Sequence, residues 1–163
     1  VTSRAFTQQE RDRLVPVADL PDADAPARTR IVVADDHAAV RNGLRMLLDA
    51  EPGFEVVAEA GDVSTALRYV RAHRPGVLVL DLNMPGERSL PAIPSFMKAS
   101  PETRIVVLTM QNDPAFARQA FSSGALGYVL KEAADSELVD AVRLAAMGRS
   151  YLNPDLGARL IER

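Results

Sequence analysis

The chain has 163 residues, 47% apolar and 25% charged, a globular composition that suits one ordinary domain with some appended chain. A formal net charge of −3 leaves no electrostatic footprint for nucleic acid or an anionic membrane, so direct DNA contact by these residues is disfavoured. The absence of Cys excludes a disulfide framework, a thiolate zinc site and a cysteine nucleophile, and without a bilayer-length apolar run or a signal-peptide pattern a cytoplasmic chain is expected.

Residues 1–29 mix charges of both signs with Pro16, Pro21 and Pro26 and read as a leader, flexible or packed on the surface through Leu14-Val15-Pro16-Val17. The folded domain is expected over 30–148. Arg30-Ile31-Val32-Val33-Ala34-Asp35-Asp36 is a short buried strand that runs into two adjacent carboxylates. Over Ala38 to Asp49, Val40, Leu44, Leu47 and Leu48 recur at helical spacing until Pro52-Gly53 stops the pattern. Phe54 to Ala60 gives a second strand, and Asp62 caps a second helix carrying Ala66, Leu67 and Val70.

Val77-Leu78-Val79-Leu80 is a continuous apolar run, the pattern of a strand buried on both faces, and it ends on Asp81 before the turn Leu82-Asn83-Met84-Pro85-Gly86. Asp81 either stands at the sheet's carboxyl edge as a functional group or simply opens that turn. Leu90, Ile93 and Met97 suggest a third helix, which Pro91 and Pro94 should delay or distort. A fourth strand, Arg104 to Met110, carries Thr109 at its end, and Asn112-Asp113-Pro114 starts a fourth helix lined by Phe116, Ala120 and Phe121. Leu126 to Lys131 is a fifth strand ending on a cation. A fifth helix follows, capped near Ala134-Asp135 and striped by Leu138, Val142 and Ala145.

Five strands alternating with five helices predict an α/β fold, a flavodoxin-like doubly wound parallel sheet of order 2-1-3-4-5. The switch point between strands one and three then gathers Asp35, Asp36 and Asp81, with Thr109 and Lys131 beside them. Carboxylates that close repel one another, so they take up protons or bind a cation. An oxygen-only cluster calls for a hard ion, and Mg²⁺ accepts one or two carboxylates while keeping waters for phosphate oxygens to replace. Lys131 and Thr109 can neutralise and orient a transferring phosphoryl group, leaving Asp81 as the attacking carboxylate.

The spaced set of Asp35-Asp36, Asp81 in Asp-Leu-Asn-Met-Pro-Gly, Thr109, Tyr128 and Lys131 resembles the receiver domain of two-component response regulators over about residues 29–148. The resemblance implies that Asp81 accepts a phosphoryl group from a histidine kinase and that the domain itself catalyses the transfer. It further implies Mg²⁺ held directly by Asp36, through water by Asp35, and by Asp81 and the backbone carbonyl of Asn83. Lys131 and Thr109 would hold the phosphoryl oxygens. Movement of Thr109 would let Tyr128 turn inward, changing a face of helix four, strand five and helix five that carries output and can support a homodimer. On the residues alone, Tyr128 is equally a core or surface aromatic, whereas for Thr109 the place at a strand end favours the site role over that of an ordinary strand residue. His37 reads as a helix-start residue and His73 as solvated.

Where many receivers place Pro after the lysine, Glu132 follows Lys131; Met110 after Thr109 is bulky enough to narrow access to Asp81. The second half most resembles the NarL/FixJ subfamily, in which a LuxR-type helix-turn-helix follows the receiver. Residues 149–163 read as the intervening linker with one short helix from Asp155, too few for a DNA-binding domain, so DNA contact is expected through a C-terminal domain beyond Arg163. The alternative is a stand-alone or phosphorylation-independent receiver acting through protein contacts. An aspartate-nucleophile phosphatase would need an acid where Asn83 stands, and neither a dinucleotide glycine fingerprint nor a P-loop occurs.

Overall fold

A computed structural model describes residues 7, 8 and 27–161 of the chain. The strands are β1 (Thr29–Ala34), β2 (Phe54–Ala60), β3 (Val77–Asp81), β4 (Arg104–Thr109), β5 (Gly127–Leu130) and β6 (Tyr151–Leu152). All pair in parallel, in the order β2-β1-β3-β4-β5-β6. Between them run α1 (Ala38–Asp49), α2 (Val63–His73), α3 (Ser89–Ala99), α4 (Pro114–Ser123) and α5 (Ala134–Ala146), followed after β6 by α6 (Pro154–Ile161). The doubly wound order expected from the sequence is present. The expected surface patch of residues 14–17 lies outside the described residues.

Successive strand residues face opposite sides, so each strand feeds two cores. Val32, Ala34, Leu78, Leu80, Ile105, Val107 and Tyr128 face α2, α3 and α4, where Ala66, Val70, Ile93, Phe96 and Ala120 close the layer. Ile31, Val33, Val77, Val79, Val106, Leu108 and Val129 face α1 and α5, against Leu44, Leu48, Leu138 and Val142. Burial of a Leu or Phe side chain in such a layer contributes about 1.5–3 kcal/mol.

Three local expectations are corrected. The sheet has six strands, not five: Tyr151 and Leu152, read as linker, pair with Gly127 and Tyr128. An unpaired β5 edge would leave backbone donors and acceptors open, and the returning chain satisfies part of it. Helix α3 is not delayed by its prolines, because Pro91 falls in the first turn, where an N–H has no intrahelical partner anyway. Pro94 lies inside the helix and Phe96, absent from the predicted stripe, is fully buried. Finally, α5 has no side-chain cap; a 3-10 turn, Lys131–Ala133, leads directly into it. The caps predicted for the other helices form: Asp62 accepts from the Thr65 N–H at 2.7 Å, and Asp113 from the Ala115 N–H at 2.9 Å.

Gly124 ends α4 at φ +116°, and a Cβ there would lie 2.2 Å from Met97 Sδ. The chain therefore uses glycine to turn from α4 into β5 beneath α3.

Candidate functional site

The alternation that builds the two cores also aims the strand ends. Asp35, Asp81 and Lys131 continue the rows Ile31-Val33, Val77-Val79 and Val129, which all face the α1/α5 side. Their side chains therefore emerge on the same side of the carboxyl edge. Thr109 continues the opposite row, Ile105-Val107, and lies one residue beyond Leu108, the register partner of Asp81.

Lys131 joins the acids. Its Nζ lies 2.7 Å from Asp35 Oδ2 and 3.1 Å from Asp81 Oδ2. The second oxygen of each acid is tied to backbone two residues on, Asp35 Oδ1 accepting from the His37 N–H at 2.9 Å and Asp81 Oδ1 from the Asn83 N–H at 3.1 Å. These Asx turns fix both carboxylates where their strands end. Arg41 of α1 donates to the Asp35 carbonyl at 2.6 Å, fastening the acid loop to the helix after it. Asp35 and Thr109 are fully buried and Asp81 is 2% exposed.

Burial pushes the Asp81 carboxyl upward; the Asn83 N–H and the Lys131 ammonium pull against it, and the net direction is up. Burial opposes the charge of Lys131, but its attraction to Asp35 and Asp81 wins and raises its pKa. The ammonium is thus held charged by the acids it bridges. Asp35 Oδ2 and Asp36 Oδ1 are buried and accept no hydrogen bond. Lys131 meets Asp35 Oδ2 as an ion pair outside hydrogen-bond geometry, and His37 Nδ1 stands 3.0 Å from Asp36 Oδ1. Asp35, Asp36 and His37 each bring one ligand atom within 4.8 Å of the others. Clustered carboxylate oxygens of this kind fit a hard divalent cation.

The structure brings Asp35, Asp81 and Lys131 into contact and keeps Asp36 beside Asp35, with its side chain 27% exposed. His37 is the N-cap residue of α1 without a side-chain cap bond. Thr109 Oγ1 accepts from the Gln111 N–H at 3.1 Å rather than touching Asp81. Tyr128, left open between core and surface, is 1% exposed and donates its hydroxyl proton to the Gln111 carbonyl at 2.7 Å. Burial, then the charge of Asp113, raises its pKa. Met110 is 77% exposed and lines a cleft with Leu130, Lys131 and Glu132. The Lys131–Glu132 bond is trans, as are all peptide bonds among the described residues. Sequence reasoning missed Arg41 and Gln111, whose parts are played by a guanidinium reaching back along a helix and by backbone groups. The i+6 spacing of Arg41 from Asp35 was the one available signal. A cleft of about 640 Å³, lined by Asn83, Met84, Arg88, Gln111 and Phe116 among others, opens beside the Asp81 turn.

The profile of the response regulator receiver domain matches residues 31–143. A curated relative, the oxygen regulatory protein NreC of Staphylococcus epidermidis (strain ATCC 12228 / FDA PCI 1200), is 44% identical over 133 residues, covering 81% of this chain and 61% of NreC. The chain thus spans about 61% of the length of the curated relatives it matches. The crystal structure of a LuxR-family two-component response regulator from Aurantimonas sp. SI85-9A1 has a TM-score of 0.79 at 38% identity, covering 83% of this chain and 97% of that one. The isolated REC domain of RcsB from Salmonella enterica serovar Typhimurium, in the presence of phosphomimetic BeF3−, has a TM-score of 0.73 at 29% identity, covering 82% and 98%. The strand-end acids and lysine, the sheet order and these matches agree: the chain belongs to the receiver domains of two-component response regulators, in the NarL/FixJ, LuxR-type subfamily.

Proposed function

We propose that this receiver is activated by phosphorylation of Asp81, with a sensor histidine kinase as donor, and that it controls a LuxR-type helix-turn-helix in the cytoplasm. The observation that carries the reading is the setting of Asp81. It is a buried carboxylate at a strand end, with one oxygen held by a backbone N–H and the other by an ammonium that a second acid also holds. In the transfer, an Asp81 oxygen bonds to phosphorus while the phosphorus–nitrogen bond of a phosphohistidine breaks, its electron pair and a proton going to the imidazole. Lys131 is within reach to offset the charge gathering on the phosphoryl oxygens, and the Asn83 N–H fixes the orientation of the attacking carboxylate.

Asp35, Asp36, Asp81 and the Asn83 carbonyl are the groups that would hold Mg²⁺. Bound there, the ion would supply charge neutralisation for phosphoryl oxygens. Thr109, one residue beyond the register partner of Asp81, would contribute its hydroxyl, and Tyr128 would report that movement through Gln111. No helix among the described residues is long and apolar enough to cross a membrane. The negative overall charge is consistent with DNA contact made by a separate C-terminal domain rather than by this one.

Intact mass after incubation with Mg²⁺ and a small phosphoryl donor, then with a phosphorylated kinase, tests the reading. A single phosphate adduct that is lost in Asp81→Asn and in EDTA is expected. Failure with both donors would instead favour a receiver that works without phosphorylation.

A further inference from the structure

The chain beyond α5 folds back along the β5 edge and over α4. The Tyr151 N–H donates to the Leu126 carbonyl at 2.9 Å, extending the sheet past β5. Glu137 of α5 then takes two bonds from this segment: the Tyr151 hydroxyl donates to its Oε1, and Asn153 Nδ2 to the same oxygen at 3.0 Å. Helix α6 lies against α4, with Leu156 3% exposed and Arg118 donating to the Leu160 carbonyl at 3.1 Å.

One contact of α6 reaches toward the Asp81 site. Arg159 Nη1 donates to the Asn112 carbonyl at 3.1 Å. The preceding carbonyl, that of Gln111, accepts the Tyr128 hydroxyl, and the Gln111 N–H donates to Thr109 Oγ1. The loop of residues 110–113 is thus held by the core on one side and by α6 on the other. The Gln111 amide is spent on the hydroxyl of Thr109, one residue beyond the register partner of Asp81.

We propose that residues 149–161 are a displaceable strap over α4 and the β5 edge, and that the state of the Asp81 site sets its hold through residues 110–113. The proposal rests on the reading of Asp81 as phosphoryl acceptor. When the Thr109 hydroxyl swings to a phosphoryl oxygen on Asp81, its bond from Gln111 is strained, residues 111 and 112 follow, and the Asn112 carbonyl leaves Arg159. The strap then loosens its hold on the β5 edge and on α4. Linkage makes the effect reciprocal: a weakened strap favours the phosphorylated form.

The test is amide hydrogen exchange at Tyr151 in the full chain with Mg²⁺ and beryllofluoride, with the ¹⁹F signal of the bound fluoride monitoring the Asp81 site independently. About five-fold faster exchange at saturation is expected, the lower end of ordinary coupling. Arg159→Ala should speed exchange without the mimic and bind beryllofluoride at least about two-fold more tightly. Unchanged or slower exchange with the bound ¹⁹F signal present overturns the strap while leaving the acceptor site standing. Absence of that signal overturns the acceptor reading, and the coupling with it.

Discussion

At the amino edge of the sheet, Arg30 and Arg104 lie in solvent, Arg30 donating to the His73 carbonyl at the end of α2, while the apolar residues of both strands begin one position later. At the carboxyl edge of the same strands, Asp35 and Asp81 are buried and share the one ammonium of Lys131. The strands between are alike, so the difference is not one of fold. Solvated charges at a strand end cost little, whereas buried acids must be compensated by partners. The carboxyl edge therefore carries buried negative charge that the amino edge does not, and a bound divalent cation would complete its compensation.

Breaking that compensation should give the largest effect. Lys131→Met leaves two buried acids without their cation and should cost about 3 kcal/mol in urea unfolding at pH 7. The loss should shrink as pH falls toward the ordinary carboxylate range and the acids protonate; an equal loss at all pH values would mean the pair is not what the lysine compensates. Next comes a backbone effect at the opposite edge. Gly124→Ala, at positive φ and against Met97, should cost about 1–2 kcal/mol with no pH dependence between pH 4 and 8, read from the same unfolding curves.

Asp81→Asn should go the other way. Because the folded pKa of Asp81 is raised above 3.8, the unfolded chain ionises first as pH rises, so ionisation of Asp81 weakens the fold above that value. The substitution removes this penalty and should stabilise the ligand-free protein at pH 7, with the gain gone below about pH 3.8. A loss of stability at pH 7 would show that the Lys131 contact outweighs burial. The smallest effect is expected from Arg104→Ala at the solvated edge, within about 0.5 kcal/mol by thermal or urea unfolding; a larger one would dissolve the contrast between the edges.

Much of this is legible in the sequence. Val77-Leu78-Val79-Leu80 reads as a strand because burial on both faces leaves no room for alternation, and its end on Asp81 is visible in the same line. The βα repeat makes the sheet parallel, and parallel strands bring Asp35, Asp81 and Lys131 to one edge. Three features were not legible for definite reasons. A two-residue strand such as Tyr151-Leu152 has no periodicity to read, and its pairing depends on an edge created by β5. The prolines of α3 were misjudged because their cost depends on their place in the helix: Pro91 gives up a donor the first turn could not use. The side of the sheet that Tyr128 faces follows from its parity with Val129, but its hydroxyl partner is a loop carbonyl, whose position no side-chain pattern encodes.

The most direct measurement is of the position of the phosphoryl group itself. Borohydride reduces an acyl phosphate to the alcohol, so treatment of the phosphorylated chain, followed by peptide mass spectrometry, should find homoserine at residue 81 and aspartate retained at 35 and 36. Homoserine at either of those two positions, or unmodified Asp81 in a chain that carries phosphate, would contradict the assignment of Asp81 as the acceptor.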